Sequence, residues 1–278
     1  MNCILIRYGE IGIKSKRTRR WWEKICIHNI DAALRETGIS FASIKKVQGR
    51  IVVFTRDHRA LDILKDVFGI TSLSGAIQIN KTMRDIKIHA LRTYIQLKSA
   101  HDTFRVSTQR VDKRFPITSQ QVNAQVGAYI LEQEEGRVNL TAPDITIGIE
   151  ILQDAAYLFD SRIAGPGGIP VGVQGKVLVY LSDMKSVVAG WMMLKRGCEL
   201  VTCGDNRLAE YLFPFSFGHP IPHTDTPSYE QCRAFVTSSL DFIKRDIPTF
   251  YPLLGLDEDT IEEIISTIME KKERLSDW

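Results

Sequence analysis

The chain has 278 residues, of which 44% are hydrophobic and 25% charged, proportions of an ordinary globular protein long enough for one to three domains. Its apolar runs, at residues 51–54 and 176–181, are too short to span a bilayer, and Arg7 and Glu10 interrupt any apolar leader, so the reading is a cytosolic protein with no membrane partner. A net charge of +3 hides a gradient: +8 over residues 1–60, +2 over 61–200 and −7 over 201–278, which points to a polyanion at the N-terminal end.

In chain order, residues 3–7 read as a strand, followed by a turn at Gly9–Gly12 and a helix over about 16–36. Trp22, Cys26, Ile30 and Ala33 fall on one face of that helix, and Gly38 stops it. Residues 51–55 read as a second strand, and Leu61, Leu64 and Phe68 mark a short helix. This pattern predicts a small ferredoxin-like α+β unit. Strands are next expected at 104–108, 144–152 and 157–159. In the second of these Ile145, Ile147, Ile149 and Ile151 alternate with Thr146, Gly148 and Glu150. Residues 119–131 read as a helix with Val122, Val126 and Ile130 inward and Ser119 near its N-cap.

The glycine- and proline-rich residues 165–172 predict a break between domains. Beyond them come a buried strand at 176–181, a helix at about 185–196 and a last helix at about 257–274. Five scattered cysteines, with no C-x-x-C, argue against both a disulfide framework and a zinc ribbon. Cys203 and Cys232 read as small hydrophobes rather than reactive thiols. His219 and His223, separated by prolines, read as loop residues, so no metal is expected.

Four features bear on chemistry. Lys14, Lys16, Arg17, Arg19 and Arg20 cluster at a helix start, beside Trp21 and Trp22, and suit phosphate contacts and base stacking. Arg110, Lys113 and Arg114 precede another helix start, where backbone N–H groups add to side-chain charge. The glycines at 165–172 let backbone approach a phosphate, although a plain linker fits the same residues. Finally, Leu181-Ser182-Asp183-Met184-Lys185-Ser186 joins a strand to a helix, the placement of a nucleotide loop. It has no glycine, and Asp183 repels phosphate.

Several of these stretches closely resemble the tRNA 4-thiouridine synthetases, the tRNA sulfurtransferases of the thiamine-biosynthesis type. They are Arg7-Tyr8-Gly9-Glu10-Ile11 with Lys14-Ser15-Lys16; Arg110-x-Asp112-Lys113-x-Phe115-Pro116-x-Thr118-Ser119, with Asn123 and Val126-Gly127 after it; Pro143-Asp144-Ile145-Thr146; and Gly165-Pro166-Gly167-Gly168-x-Pro170-Val171-Gly172-x-x-Gly175-Lys176-Val177. They occur in family order over residues 1 to about 200.

The resemblance implies α+β and α/β architecture: a ferredoxin-like domain at 1–58, a THUMP domain at 59–168 and a shortened Rossmann-like PP-loop domain at 169–278. In the family the first two domains grip the tRNA acceptor stem, and the third adenylates uridine 8 before sulfur replaces its oxygen. The implied partner is tRNA, contacted by Arg7, Lys14, Lys16, Arg17, Arg20, Arg110, Lys113, Arg114, Phe115, Ser119, Gly167 and Gly168. A homodimer and a separate catalytic PP-loop or sulfur-carrier protein are further expected partners.

The family's PP-loop reads Ser-Gly-Gly-x-Asp-Ser, whereas residues 182–186 lack both glycines and are one residue short. Leu181, Ser182, Asp183, Lys185, Ser186 and Gln231 therefore read as a vestigial nucleotide site. ATP and Mg are cofactors only if that loop still works, and no catalytic residue is assigned. Tyr229-Glu230-Gln231 stands where the family has Leu-Gly-Gln, and residues 251–257 resemble its Pro-Leu-Ile-Gly-Met-Asp segment. No cysteine pair or rhodanese domain is found. The rival reading is a working ATP-dependent sulfurtransferase with an unusual loop.

Overall fold

A computed structural model describes residues 1–99, 102–225, 231–239 and 247–276. The chain divides into two compact units. One contains residues 1–7, 40–62 and 72–164; the other contains 8–39, 63–71 and 165–278. In chain order the elements are β1 (Cys3–Tyr8), a 3-10 turn (Glu10–Ile13), α1 (Lys16–Glu36), β2 (Ser43–Val47), β3 (Arg50–Phe54), α2 (Arg59–Leu64) and β4 (Ile70–Ile79). Next come α3 (Met83–Leu97), β5 (Thr103–Arg110), α4 (Ser119–Gln133), β6 (Arg137–Val138), β7 (Ile145–Ile151), β8 (Ala156–Phe159) and β9 (Ile163–Ala164). The remainder are β10 (Lys176–Leu181), α5 (Met184–Lys195), β11 (Glu199–Gly204), α6 (Asn206–Ala209), a 3-10 turn (Phe213–Phe215), β12 (Phe235–Val236), β13 (Thr249–Phe250) and α7 (Glu258–Ser276).

The first unit is organised by a nine-stranded sheet of order β2-β3-β1-β4-β8-β7-β5-β6, with β9 paired to β4. The strand read from residues 144–152 is β7, buried on both faces rather than one, and it pairs parallel to β5 and antiparallel to β8. α3 and α4 cover one face, where Ile86, Ala90, Tyr94, Val122, Val126 and Ile130 meet Phe104, Ile147 and Ile149 in a continuous core. Each fully buried Ile, Val or Phe side chain there contributes about 1.5–3 kcal/mol. Residues of the opposite face, Cys3, Leu5, Val52, Ala76, Tyr157 and Phe159, form a second cluster.

Among the elements of this unit that go beyond the sequence reading are β2, β4 and α3. β2 carries two lysines, which suit the edge position it occupies. β4 is interrupted by serines and Gly75. α3 is capped by Thr82, whose Oγ1 accepts from the Asp85 N–H.

The second unit holds α1 and a parallel sheet of order β11-β10-β12-β13. Parallel pairing of β10 with β11 requires a crossover, and α5 supplies it. α5 is buried on nearly every side through Val187, Val188, Ala189, Trp191, Met193 and Leu194, packed with Leu200, Leu212, Phe215, Ile261 and Ile268. Phe68, placed by its spacing on the short helix α2, lies beyond that helix and packs edge-on to Trp191 at 5.4 Å. α1 and residues 63–71 thus share a compact unit with residues 165–278. No helix among the described residues is long and apolar enough to cross a membrane.

Candidate RNA interface and nucleotide loop

Ser15 caps α1, its Oγ accepting from the Thr18 N–H. The helix start therefore presents Lys16, Arg17 and Arg20 to solvent, with no ion pair to any of them among the described residues. Two of the cations in the cluster are held locally. Arg19 donates to the carbonyls of Gly12 and Lys14, and Lys14 places its Nζ 4.9 Å from the Trp22 ring centroid. Of the two tryptophans, Trp22 is core and Trp21 is half exposed. Ile13 stands almost fully exposed in the preceding turn.

Arg7 does not reach the surface. It is buried, and its Nε donates to Glu150 Oε1 at 2.5 Å while Nη1 donates to Ser74 Oγ at 3.1 Å. Burial pulls the Arg7 pKa below its ordinary value, and the Glu150 carboxylate opposes that shift. Arg50 reaches the other oxygen of Glu150 at 2.7 Å. Glu150 has no accessible surface. The only sign of this cluster in the sequence is one charged residue inside the strand Ile-Thr-Ile-Gly-Ile-Glu-Ile.

The segment 110–119 is built around two fixed groups. Arg110 Nη1 donates to the carbonyls of Phe115 and Ile117 at 2.8 and 3.0 Å, closing the loop on itself. Asp112 is buried and accepts from Arg114 at 3.0 Å and from Lys81 at 2.9 Å. Those bonds, Arg114 first, hold its carboxyl well below the usual carboxylate range.

Thr118, not Ser119, caps α4, through a reciprocal box with Gln121. Ser119 is half-buried and its Oγ accepts the Arg110 N–H instead. Phe115 is buried in the core beneath. Lys113 is exposed and has no ion pair among the described residues, and Arg114 is exposed along its length. Arg114, Asp112, Lys81 and Thr82 border a cavity of about 510 Å³.

The glycine-rich segment is tied down by its backbone. Gly167 donates to the Ile70 carbonyl and accepts from the Gly69 N–H, and Ile169 donates to the Lys195 carbonyl. Gly168 has φ +73°, and a Cβ there would lie 2.3 Å from the Lys195 oxygen. Only glycine fits this close approach. The Gly167 amide is thus committed to another strand of the same unit.

The loop between β10 and α5 is likewise satisfied from within. Asp183 caps α5, its carboxylate accepting the Ser186 N–H at 2.8 Å. Ser186 is fully buried, and its Oγ accepts the N–H groups of Ser182 and Asp183 at 2.9 and 3.1 Å while donating to the Asp183 carbonyl. Leu181 is core. Lys185 turns to Glu258 at 2.7 Å. Gln231 is exposed; Tyr229 and Glu230 lie outside the described residues. Asp257, at the end of the family-like 251–257 segment, accepts the Thr260 N–H at the start of α7.

A polar chain that the sequence reading missed links α1 to this part of the same unit. Buried Asn29 donates to the Val171 carbonyl and meets His219 Nε2 at 2.9 Å, while His219 Nδ1 lies 3.3 Å from Glu199. His223 contacts Thr202 Oγ1. Among the described residues no group of three His, Cys, Asp or Glu side chains is placed to hold a metal. Burial raises the Cys232 thiol above its ordinary value.

Residues 3–74 match the ThiI ferredoxin-like domain and residues 80–159 the THUMP domain. The fold and these matches define a THUMP-containing protein with a ferredoxin-like N-terminal domain. A probable tRNA sulfurtransferase from Thermococcus kodakarensis is 42% identical over 206 residues, covering 72% of this chain and 54% of that protein. Another, from Methanosarcina acetivorans, is 31% identical over 255 residues, covering 84% of this chain and 62% of that protein. The chain therefore spans little more than half the length of these relatives. Among solved structures, a Pyrococcus horikoshii Ot3 protein is 32% identical with a TM-score of 0.83, covering 99% of this chain and 100% of that one. A 4-thiouridine synthetase solved with RNA and bound ATP is 25% identical with a TM-score of 0.77, covering 96% of this chain and 85% of that one. The chain belongs to the tRNA sulfurtransferase, or 4-thiouridine synthetase, family.

Proposed function

We propose that the chain binds tRNA and does not adenylate it unaided. The surface for tRNA consists of Lys16, Arg17 and Arg20 at the start of α1 and of Lys113 and Arg114 before α4. These are exposed cations, and Lys16, Arg17, Arg20 and Lys113 make no ion pair within the described chain. Such groups read backbone phosphate and shape rather than sequence. The domains follow the boundaries 1–58, 59–168 and 169–278, with the third as a shortened relative of the PP-loop domain.

One observation carries the catalytic half of this reading. A helix N-terminus binds phosphate through its free N–H groups. At α5 the Ser186 N–H is taken by the Asp183 carboxylate, and the amides of Ser182 and Asp183 are taken by Ser186. A triphosphate entering here meets a carboxylate in place of a donor, so the present residues do not fit ATP. On this reading the chain delivers tRNA to a separate catalytic or sulfur-carrying protein, or acts within a homodimer.

The relative that holds both RNA and ATP favours a second reading, an active ATP-dependent sulfurtransferase. Paired titrations with tRNA and with ATP–Mg at two salt concentrations separate the two. Salt-sensitive tRNA binding without ATP binding supports the first; ATP binding strengthened by tRNA supports the second. Absence of salt-sensitive tRNA binding removes both.

A further inference from the structure

A cavity of about 580 Å³ opens on the sheet of the first unit, beside β5, β7 and the end of β8. Its cationic walls are Arg105 and Arg162, its floor includes Glu150, and Thr146, Ser107 and Gln109 add hydroxyl and amide groups. Arg105 is held in place: its Nε donates to Thr146 Oγ1 at 3.2 Å and its Nη1 to the Leu140 carbonyl at 3.3 Å.

The electrostatics of the floor are unbalanced. Glu150 Oε1 is already met by Arg7 at 2.5 Å and Oε2 by Arg50 at 2.7 Å, both through charge-assisted bonds. Arg162 is a third guanidinium on the same carboxylate, farther off at 3.5 Å and half exposed. It also lies 5.9 Å from the Phe159 ring centroid. One carboxylate compensates one arginine, so the charge of Arg162 is in excess of what the buried cluster needs. Even with Asp160 on the rim, the four arginines outnumber the two carboxylates by two. Burying an ionised carboxylate is costly, and this one anchors a surplus cation at a cavity mouth.

We propose that this cavity takes a phosphodiester group of bound RNA, with Arg105 and Arg162 as the contacts and Glu150 as the positioning residue for Arg162. The inference rests on the tRNA-binding reading above but concerns residues other than those of the segment at 110–119. Guanidinium forks fixed at two walls suit the oxygens of a phosphate, and the hydroxyl and amide groups between them suit ribose.

The test uses the full chain and a tRNA transcript, with affinity measured across a salt series. Each phosphate contact contributes about 0.9 to the slope of log affinity against log salt. Loss of one contact therefore weakens binding about 8-fold at 0.1 M salt. Arg162→Ala and Arg105→Ala are each expected to flatten the slope by about one unit, whereas Arg92→Ala on α3 leaves it unchanged.

Glu150→Gln removes one negative charge and so makes the cavity more positive by one. If Glu150 positions Arg162, that variant binds tRNA more weakly despite the added charge, at temperatures where it remains folded. Tighter binding by Glu150→Gln overturns the positioning role. Unchanged slopes in both arginine variants, with salt-sensitive wild-type binding, overturn the cavity assignment alone; no salt-sensitive wild-type binding overturns the tRNA reading with it. Saturable binding of AMP that Arg162→Ala abolishes, with the tRNA slope intact, overturns it in favour of a free nucleotide.

Discussion

Replacing Asp183 by glycine separates the two things its carboxylate does. As N-cap of α5 it accepts one backbone N–H, from Ser186. Glycine is a tolerable N-cap, costing only a few tenths of a kcal/mol relative to Asp, and Ser186 Oγ still holds the amides of residues 182 and 183. The stability loss is therefore small, with Tm lower by about 1–2 °C for a chain of this size.

The effect on ATP is larger. One unit charge about 4 Å from another is worth about 1 kcal/mol in water and more where the dielectric constant is lower. Asp183 is exposed, so the high-dielectric end applies, and removing it is worth about 1–2 kcal/mol against the nearest phosphate. Glycine also frees the Ser186 N–H for the ligand. The expected result is ATP–Mg affinity about 5- to 30-fold higher than wild type, measured by calorimetry, with tRNA affinity unchanged. Equal or weaker ATP binding by a folded Asp183→Gly protein refutes the argument that this carboxylate closes the site.

The Lys113→Ala, Arg114→Ala double variant is expected to weaken tRNA binding and flatten its salt slope by about one unit per lost phosphate contact; unchanged affinity removes that surface. Gly168→Ala combines a φ of +73° with a Cβ 2.3 Å from the Lys195 oxygen and should destabilise the chain by about 1–3 kcal/mol or more, read in denaturant titration. Burial lowers the His219 pKa below its ordinary value, and Glu199 only partly restores it. The unfolded chain then binds the proton more readily, so this residue's contribution is present above about pH 6.5 and is lost as pH falls toward the folded value. Wild-type Tm should fall between pH 7 and pH 5.5, and by less in His219→Asn. An equal fall in both excludes His219 as the cause.

The elements that were legible have local signals. α1, β10, α5 and α7 follow from apolar spacing, and the Thr118–Gln121 box is a sequence signature of a helix start. α3 was equally open to reading, since Thr82, Asp85, Ile86, Ala90 and Tyr94 supply a cap and a stripe. What local pattern does not carry is the partner of a charge. Arg7 stands beside a turn and reads as a surface cation, yet its carboxylate lies 143 positions away. His219 meets Asn29 across 190 positions. The lysines of β2 hid a strand because an edge position tolerates charge that an interior strand does not.

The same accounting bears on function. A cation or amide that completes the fold has fewer donors left for a ligand, whatever motif it belongs to. Arg7 completes Glu150, Arg19 completes the turn carbonyls, Arg110 completes the loop at 115–117, and the Gly167 amide completes the Ile70 carbonyl. Arg7, Arg110 and Gly167 sit in family-like stretches, and each is engaged by structure. Cations left for a polyanion include Lys16, Arg17, Arg20 and Lys113, together with exposed Arg114, and the proposed cavity adds Arg105 and the surplus arginine above Glu150. In the loop at 182–186 the amides of Ser182, Asp183 and Ser186 are held by its own side chains, so cations persist where RNA is expected while those amides are withdrawn where ATP is expected. Motif resemblance fixes the family, but satisfaction of each polar group decides which of the family's ligands this chain can still hold.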